Sequence, residues 1–253
     1  MVAPPDLILL GYGVFDSLQL TVETQQVLVR YGRAFTVGLP PALARHLRSL
    51  RVKVTDLADR LPAGRPFAEA YLDIASHLLQ QTAGERPVIV LMPGNPLSTN
   101  AVSRLLAMEC RRLGLTFVAL PAVSQFDVIL SAIGLDVSAF GLQVFDATRV
   151  VSRSQCPNPG VPLLVLHAGA FALEEVPGES SRPEIGPLAG YLARFYPASH
   201  TVALVDLDTA RGAVTVRSLP LDDLAGCDDL HHGTSLFLDR VIAAPSELAG
   251  GPG

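Results

Sequence analysis

Two short apolar runs constrain this chain more than any other feature. Leu7-Ile8-Leu9-Leu10 and Val88-Ile89-Val90-Leu91-Met92 contain no polar residue. Each stops abruptly, at Gly11-Tyr12-Gly13 and at Pro93-Gly94-Asn95-Pro96. An unbroken apolar run of this length suits a strand covered on both faces, which needs helices on either side of a mainly parallel sheet. The intervening segments supply them. Thr21 can cap a helix whose first turn carries Glu23, and Ala34–Val37 returns as a strand. Ala42–Leu50 reads as a helix, as does Tyr71–Gln81, with Tyr71, Ile74, Leu78 and Leu79 on one face. Asn100 or Thr99 caps a helix that closes on Arg111, Arg112 and Gly114, and Thr116–Leu120 forms a further strand. Ser124 followed by Asp127 is a capping box for a helix ending at Gly134.

The second half changes character. Leu142–Phe145, Pro162–Leu166, Thr201–Leu207 and Ala213–Leu219 read as strands, with a hairpin turn over Asp208–Gly212 and one helix near Pro187–Phe195. Breaker-rich loops lie at Pro157–Gly160 and Pro177–Pro187. The expectation is an α/β chain in two lobes. Residues 1–121 form an α/β lobe with a mainly parallel sheet, 122–243 an α+β lobe, and 244–253 a frayed tail.

Composition narrows the function classes. A net charge of −5, no basic run and no Trp argue against a nucleic-acid surface. Cys110, Cys156 and Cys227 are widely spaced and odd in number, which suits reduced thiols in a cytoplasmic protein rather than a disulfide framework or a CxxC metal pair. No apolar stretch approaches the roughly 18 residues of a membrane span, and Asp6, Pro4 and Pro5 disqualify the start as an export signal.

Chemistry-bearing motifs are few. Gly11-Tyr12-Gly13 fails the dinucleotide fingerprint because Asp16 stands at the third glycine position. The glycines still allow a sharp turn and close approach of a ligand at a strand end. Pro93-Gly94-Asn95-Pro96-Leu97-Ser98 is a stiff loop offering backbone groups, suited to an adenosine or amino-acid moiety, although a plain tight turn would look the same. His231-His232 would point apart in an extended segment, so no metal site is expected there. His167 ends an apolar strand, as either a hydrogen-bonded core histidine or one facing a ligand.

Taken in order, these segments resemble the tetrapyrrole-methylase superfamily, and within it the borosin-type peptide backbone N-methyltransferases. Leu7–Gly13 is similar to the opening strand and glycine loop, and Leu20-Thr21-Val22-Glu23-Thr24 to the helix start that follows. Met92–Leu97 stands at the Gly-His-Pro or Gly-Asp-Pro loop, with Asn95 in place of His or Asp. Leu120–Asp127, Ile133–Asp136, Gln143–Thr148, Tyr196-Pro197 with His200-Thr201-Val202, and Gly233–Phe237 resemble further family motifs in family order. The resemblance implies a two-lobed homodimer that binds S-adenosylmethionine in the cleft between its lobes. It places Pro93, Gly94, Asn95, Pro96, Leu97, Ser98, Ser124, Gln125, His167, Ala168, Gly233 and Thr234 around the cofactor, with no metal.

The acceptor side departs from the family. Borosin-type enzymes carry a Tyr, an Arg and a second Tyr near the start of one helix, and here only Tyr71 matches. Leu61 and Phe67 stand at the other two positions, with Arg65 two residues away. Tyr71, Tyr12 and Arg65 are the candidate acceptor-side residues. The expected activity is methyl transfer to a peptide or a small apolar metabolite. The alternatives are a scaffold partner that has lost transfer and, within the enzymes, a tetrapyrrole acceptor, which would need more basic groups.

Overall fold

The structure is a computed structural model, described for residues 4–15, 19–84, 86–178 and 183–242. The expected tail at 244–253 and Asp16 lie outside the described residues.

Five parallel strands form the first sheet. They are β1 (Leu7–Gly11), β2 (Arg33–Thr36), β3 (Lys53–Asp56), β4 (Val88–Met92) and β5 (Phe117–Leu120), in the order β3-β2-β4-β1-β5. The two apolar runs are the central neighbours β4 and β1, paired Leu7 to Val88 through Gly11 to Met92, and every residue of both is buried. Successive side chains alternate between two clusters, which is why the runs could not alternate with polar residues. Ile8, Leu10, Ile89 and Leu91 pack with Leu28 of α1 (Val22–Tyr31) and with Leu43 and Leu47 of α2 (Pro41–Ser49). Leu7, Leu9, Val88, Val90 and Met92 pack on the opposite face. Their partners there are Ile74 and Leu78 of α3 (Phe67–Gln81) and Val102 and Leu106 of α4 (Ala101–Leu113).

Local chemistry sets the helix ends. Thr21 accepts from the Thr24 N–H, and Gly32 closes α1 in the left-handed region. Asn100, not Thr99, caps α4 by accepting from the Ser103 N–H; Thr99 has φ 58°. Ser124 and Asp127 form the capping box of α5 (Gln125–Ile133): the Ser124 N–H donates to the Asp127 carboxylate at 2.7 Å, and the Asp127 N–H to Ser124 Oγ at 3.3 Å. Two elements differ from the sequence expectation. Helix α3 begins four residues before Tyr71, because Pro66 can start a helix as easily as end one. Tyr71, Ile74, Leu78 and Leu79 share one apolar cluster, as the spacing implies, with Tyr71 and Leu79 partly buried and Ala70 and Ala75 buried beside them. Strand β3 carried no sequence signal, since it is an edge strand with largely exposed residues.

The second sheet is mixed. It holds β6 (Gln143–Asp146), β7 (Leu163–Leu166), β8 (Thr201–Asp208), β9 (Ala213–Pro220) and β10 (Ser235–Leu238), in the order β6-β7-β10-β8-β9. β6 runs parallel to β7, and β10 is antiparallel to β7 and β8. Among the described residues three helices accompany these strands where one was expected: α6 (Val137–Phe140), α7 (Ala147–Ser152) and α8 (Gly186–Leu192). The first two are too short for a helical period to emerge. Asp136 and Asp146 cap them, each through a side-chain oxygen. The chain forms two compact units. One is Met1–Ala132 with Glu174–Ser180 and Asp208–Ala213; the other is Ile133–Leu173, Ser181–Leu207 and Val214–Gly253.

Candidate active site

In the first unit, β1 leads into α1 on one face of the sheet, while its neighbour β4 leads into α4 on the other. Connections that leave adjacent parallel strands toward opposite faces open a crevice at the strands' C-terminal ends, where ligands of such sheets bind. Three loops meet at this edge. The Tyr12 N–H donates to the Met92 carbonyl at 3.0 Å, and the Gly94 N–H to the Gly13 carbonyl at 2.8 Å. A β-carbon on Gly11 would lie 2.3 Å from the Gly94 carbonyl oxygen, 2.5 Å from Ala122 Cβ and 3.0 Å from Pro96 Cδ. Glycine at position 11 is therefore demanded by close packing of the three loops. Gln19, which carried no sequence signal, holds the first of them by accepting from the N–H groups of Val14 and Phe15 at 2.6 and 3.0 Å.

The loop after β4 braces itself. Asn95 Oδ1 accepts from the Leu97 N–H at 3.1 Å, and the Asn95 carbonyl from the Ser98 N–H at 3.0 Å. Pro96 is buried, whereas Pro93 and Leu97 are exposed. Gly94, at φ 64°, has open space where a β-carbon would project. Such a loop presents exposed apolar surface beside an accessible backbone. Asn95 uses its side-chain carbonyl oxygen internally, which leaves its amide hydrogens without a partner among the described residues. These features fit an adenosine-bearing ligand. Ser124 is buried in its capping box, and Gln125 opens α5 behind the third loop.

The acceptor-side candidates are placed differently. Tyr12 is buried among Leu10, Leu28 and Leu43. Tyr71 stacks on Phe67 with ring centroids 5.3 Å apart, and burial raises its phenol above the ordinary value of 10.0. At neutral pH it is a hydrogen-bond donor, not a base. Arg65 donates to the Asp73 carboxylate at 3.2 Å and to the Arg60 carbonyl at 3.1 Å. Arg60 also grips Asp73, at 3.0 and 3.1 Å. The two guanidiniums hold that carboxyl below its ordinary value, Arg65 contributing most. Leu61 packs into the apolar cluster around Ile74. The whole stretch is pinned by an antiparallel pairing with residues 174–176: Gly64 N–H to the Val176 carbonyl, Val176 N–H to that of Arg65, and Phe67 N–H to that of Glu174. That pairing spans over a hundred residues, so no local signal could announce it.

In the second unit, His167, Ala168, Gly233 and Thr234 come together at the adjoining ends of β7 and β10. The Gly169 N–H donates to the Thr234 carbonyl at 3.2 Å. A β-carbon at Gly169 would lie 1.6 Å from the His231 carbonyl oxygen, and one at Gly233 2.9 Å from that of Leu207. Thr234 is fully buried; its hydroxyl accepts from the His231 N–H at 2.9 Å and donates to the Asp206 carboxylate. His231 and His232 are themselves exposed. His167 takes the left-handed conformation at φ 60°, uncommon for a residue with a side chain, and its Nδ1 meets Asp146 Oδ2 at 3.0 Å. Burial pushes the Asp146 carboxyl up, but hydrogen bonds from His167 and the Arg149 N–H outweigh it, leaving a net value below 3.8. Asp146, Asp206 and Gly169 were not among the residues singled out from sequence, because their partners lie on other strands.

Paired strand ends bearing a stiff, glycine-opened loop define an α/β lobe with an open crevice at the C-terminal ends of its parallel strands. Residues 6–160 match the Tetrapyrrole (Corrin/Porphyrin) Methylases, and the chain belongs to that family. Its fold is similar to that of uroporphyrin-III-C-methyltransferase from Thermus thermophilus, at TM-score 0.65 and 19% identity over 93% of this chain and 92% of that one. A further structure of the Thermus enzyme, complexed with S-adenyl homocysteine, aligns at TM-score 0.60 and 16% identity, covering 92% of this chain and 96% of that one. Among curated proteins, the chain is 24% identical over 172 residues to a methyltransferase/ribosomally synthesized type III borosin cyclic peptide precursor of Anomoporia bombycina. That match covers 68% of this chain and 20% of the relative. It is 21% identical over 198 residues to the methyltransferase/gymnopeptides precursor of Gymnopus fusipes, covering 78% of this chain and 47% of the relative. The chain thus spans less than half the length of these curated relatives.

Proposed function

We propose that the chain binds S-adenosylmethionine and transfers its methyl group to a peptide or a small apolar metabolite. The observation that carries this reading is the convergence of three loops at the ends of β1, β4 and β5, with Gly11 excluded from bearing a side chain and Gly94 left open. Family membership supports the donor, and the likeness to borosin precursors supports a peptide acceptor. When bound, the sulfonium supplies an already activated methyl group. The residues of the chain then have to hold donor and acceptor in line and exclude water. Pro93, Gly94, Asn95, Pro96, Leu97 and Ser98, with Ser124 and Gln125, would hold the cofactor in the first unit. Tyr71, kept protonated, would donate a hydrogen bond to an acceptor carbonyl. Arg65, tied to Asp73, would position the segment. The active form in this reading is a cytoplasmic homodimer.

A second reading rests on Leu61 and Phe67. One is part of an apolar cluster and the other stacks on Tyr71, so neither can polarise an acceptor. A chain of this kind could bind the cofactor yet serve as a scaffold in a biosynthetic complex. Calorimetry with S-adenosylhomocysteine tests the common part of both. Saturable one-site binding is expected, and no heat with either that product or S-adenosylmethionine would overturn the proposal.

A further inference from the structure

The cations of this chain are unevenly distributed. Residues 24–55 contain Arg30, Arg33, Arg45, Arg48, Arg51 and Lys53 and not one Asp or Glu, a formal +6; with −5 overall, the remainder carries −11. No two of the six are adjacent in sequence, and the fold gathers them. Arg30 lies in the last turn of α1 and Arg33 opens β2, while Arg48 lies in the last turn of α2 and Lys53 opens β3. Arg33 and Lys53 are register partners. The Lys53 N–H donates to the Gly32 carbonyl at 2.9 Å, and the Arg51 N–H to that of Arg48 at 3.0 Å. All but Arg45, one turn back along α2, therefore stand at the N-terminal edge of β2 and β3, the edge opposite the candidate cofactor loops.

Arg30, Arg45, Arg48, Arg51 and Lys53 are exposed, and none forms an ion pair with a carboxylate among the described residues. The helix dipoles of α1 and α2 account for Arg30 and Arg48, since cations are favoured in a last turn. They do not account for Arg45 or Lys53. Arg51 is the more telling. It follows α2 at φ 58°, with the Val52 N–H closing back on the Leu47 carbonyl at 2.9 Å, a helix end that glycine fills at no steric cost. Beside these cations lies an open depression lined by Arg33, Phe35, Gln80, Gln81, Gly84 and Val88, which offers apolar surface and amide groups.

We propose that this edge docks a short acidic segment of a partner polypeptide. Guanidinium forks match carboxylates two bonds at a time, and a cluster this local suits a ligand whose charge ends where the patch ends. A nucleic acid continues its charge beyond the patch, onto a surface that is otherwise strongly negative. The proposal stands apart from methyl transfer, because the edge is remote from the candidate cofactor loops within the same unit.

The test is fluorescence anisotropy of the full chain with fluorescein-labelled decaglutamate, with a ten-nucleotide oligouridylate as comparison and sedimentation velocity alongside. Saturable decaglutamate binding is expected, weakening at least tenfold between about 20 and about 200 mM NaCl. The triple variant Arg45→Ala/Arg48→Ala/Arg51→Gly should lose roughly another tenfold. Arg104→Ala/Arg111→Ala on α4 should leave affinity unchanged. Arg51→Gly alone should weaken binding while the melting temperature holds or rises, which separates docking from folding. Equal affinity of the triple variant and the parent would overturn the proposal. So would tighter binding of the oligouridylate than of decaglutamate. A salt-sensitive dimer that the triple variant abolishes would assign the edge to a second copy of the chain instead.

Discussion

Replacing Gly11 by Ala puts a single methyl group into the tightest point of the candidate site. Its β-carbon would sit 2.3 Å from the Gly94 carbonyl oxygen and 2.5 Å from Ala122 Cβ, where ordinary contact begins near 3.4 Å. One neighbour is backbone and the other is fixed directly to it, so no rotamer change can relieve the overlap. The loops after β4 and β5 have to separate from β1 by about 1 Å, an overpacking cost of about 1–3 kcal/mol. For a chain of this size that lowers the melting temperature by about 2–12 °C. The Gly94 N–H bond to Gly13 stretches with the same movement. The displaced loop should also bind S-adenosylhomocysteine more weakly than the parent. Differential scanning calorimetry and titration with S-adenosylhomocysteine measure the two effects. Gly94→Ala is the control. It meets no neighbour within 4 Å, but its φ of 64° imposes backbone strain of about 1–2 kcal/mol without spreading the loops. An unchanged melting temperature and unchanged affinity in Gly11→Ala would refute the argument that three loops converge on this glycine.

Two further outcomes follow from the side chains. Tyr71→Phe should leave S-adenosylhomocysteine affinity unchanged and lower methylation of a co-expressed acceptor peptide, read by mass spectrometry; equal methylation would remove Tyr71 from the acceptor side. The lowered carboxyl of Asp146 stabilises the fold above its ordinary pKa of 3.8, and this contribution is lost as pH falls through the lower native value. Melting temperature should therefore fall less steeply below about pH 4 in Asp146→Asn than in the parent. Parallel curves would show that the His167 and Arg149 contacts do not hold the carboxylate.

The first sheet was legible because its information is local. Runs covered on both faces, the Thr21 cap, the Asn100 cap and the Ser124–Asp127 box each act within a few residues, so pattern and structure agree there. Short or exposed elements escaped, since β3, α6 and α7 bury too little to impose a period. The candidate loops were legible as glycine and proline breaks at strand ends, but their mutual contacts were not. What Gly11 must avoid is supplied by residues about 80 and 110 positions away, and only strand order brings them there.

The same holds for charge and for polar pairing. The sequence by itself determined the alternation of strands and helices, the strand ends at which a ligand could lie, and the family resemblance. Tertiary structure alone decided that Asp73 occupies Arg65, that Asp146 faces His167 and that five separated cations share one sheet edge. The physical reason is range. Hydrophobic period and capping are settled within a turn or a strand, whereas ion pairs, steric exclusion and surface potential depend on distances that exist only once the strands are in order.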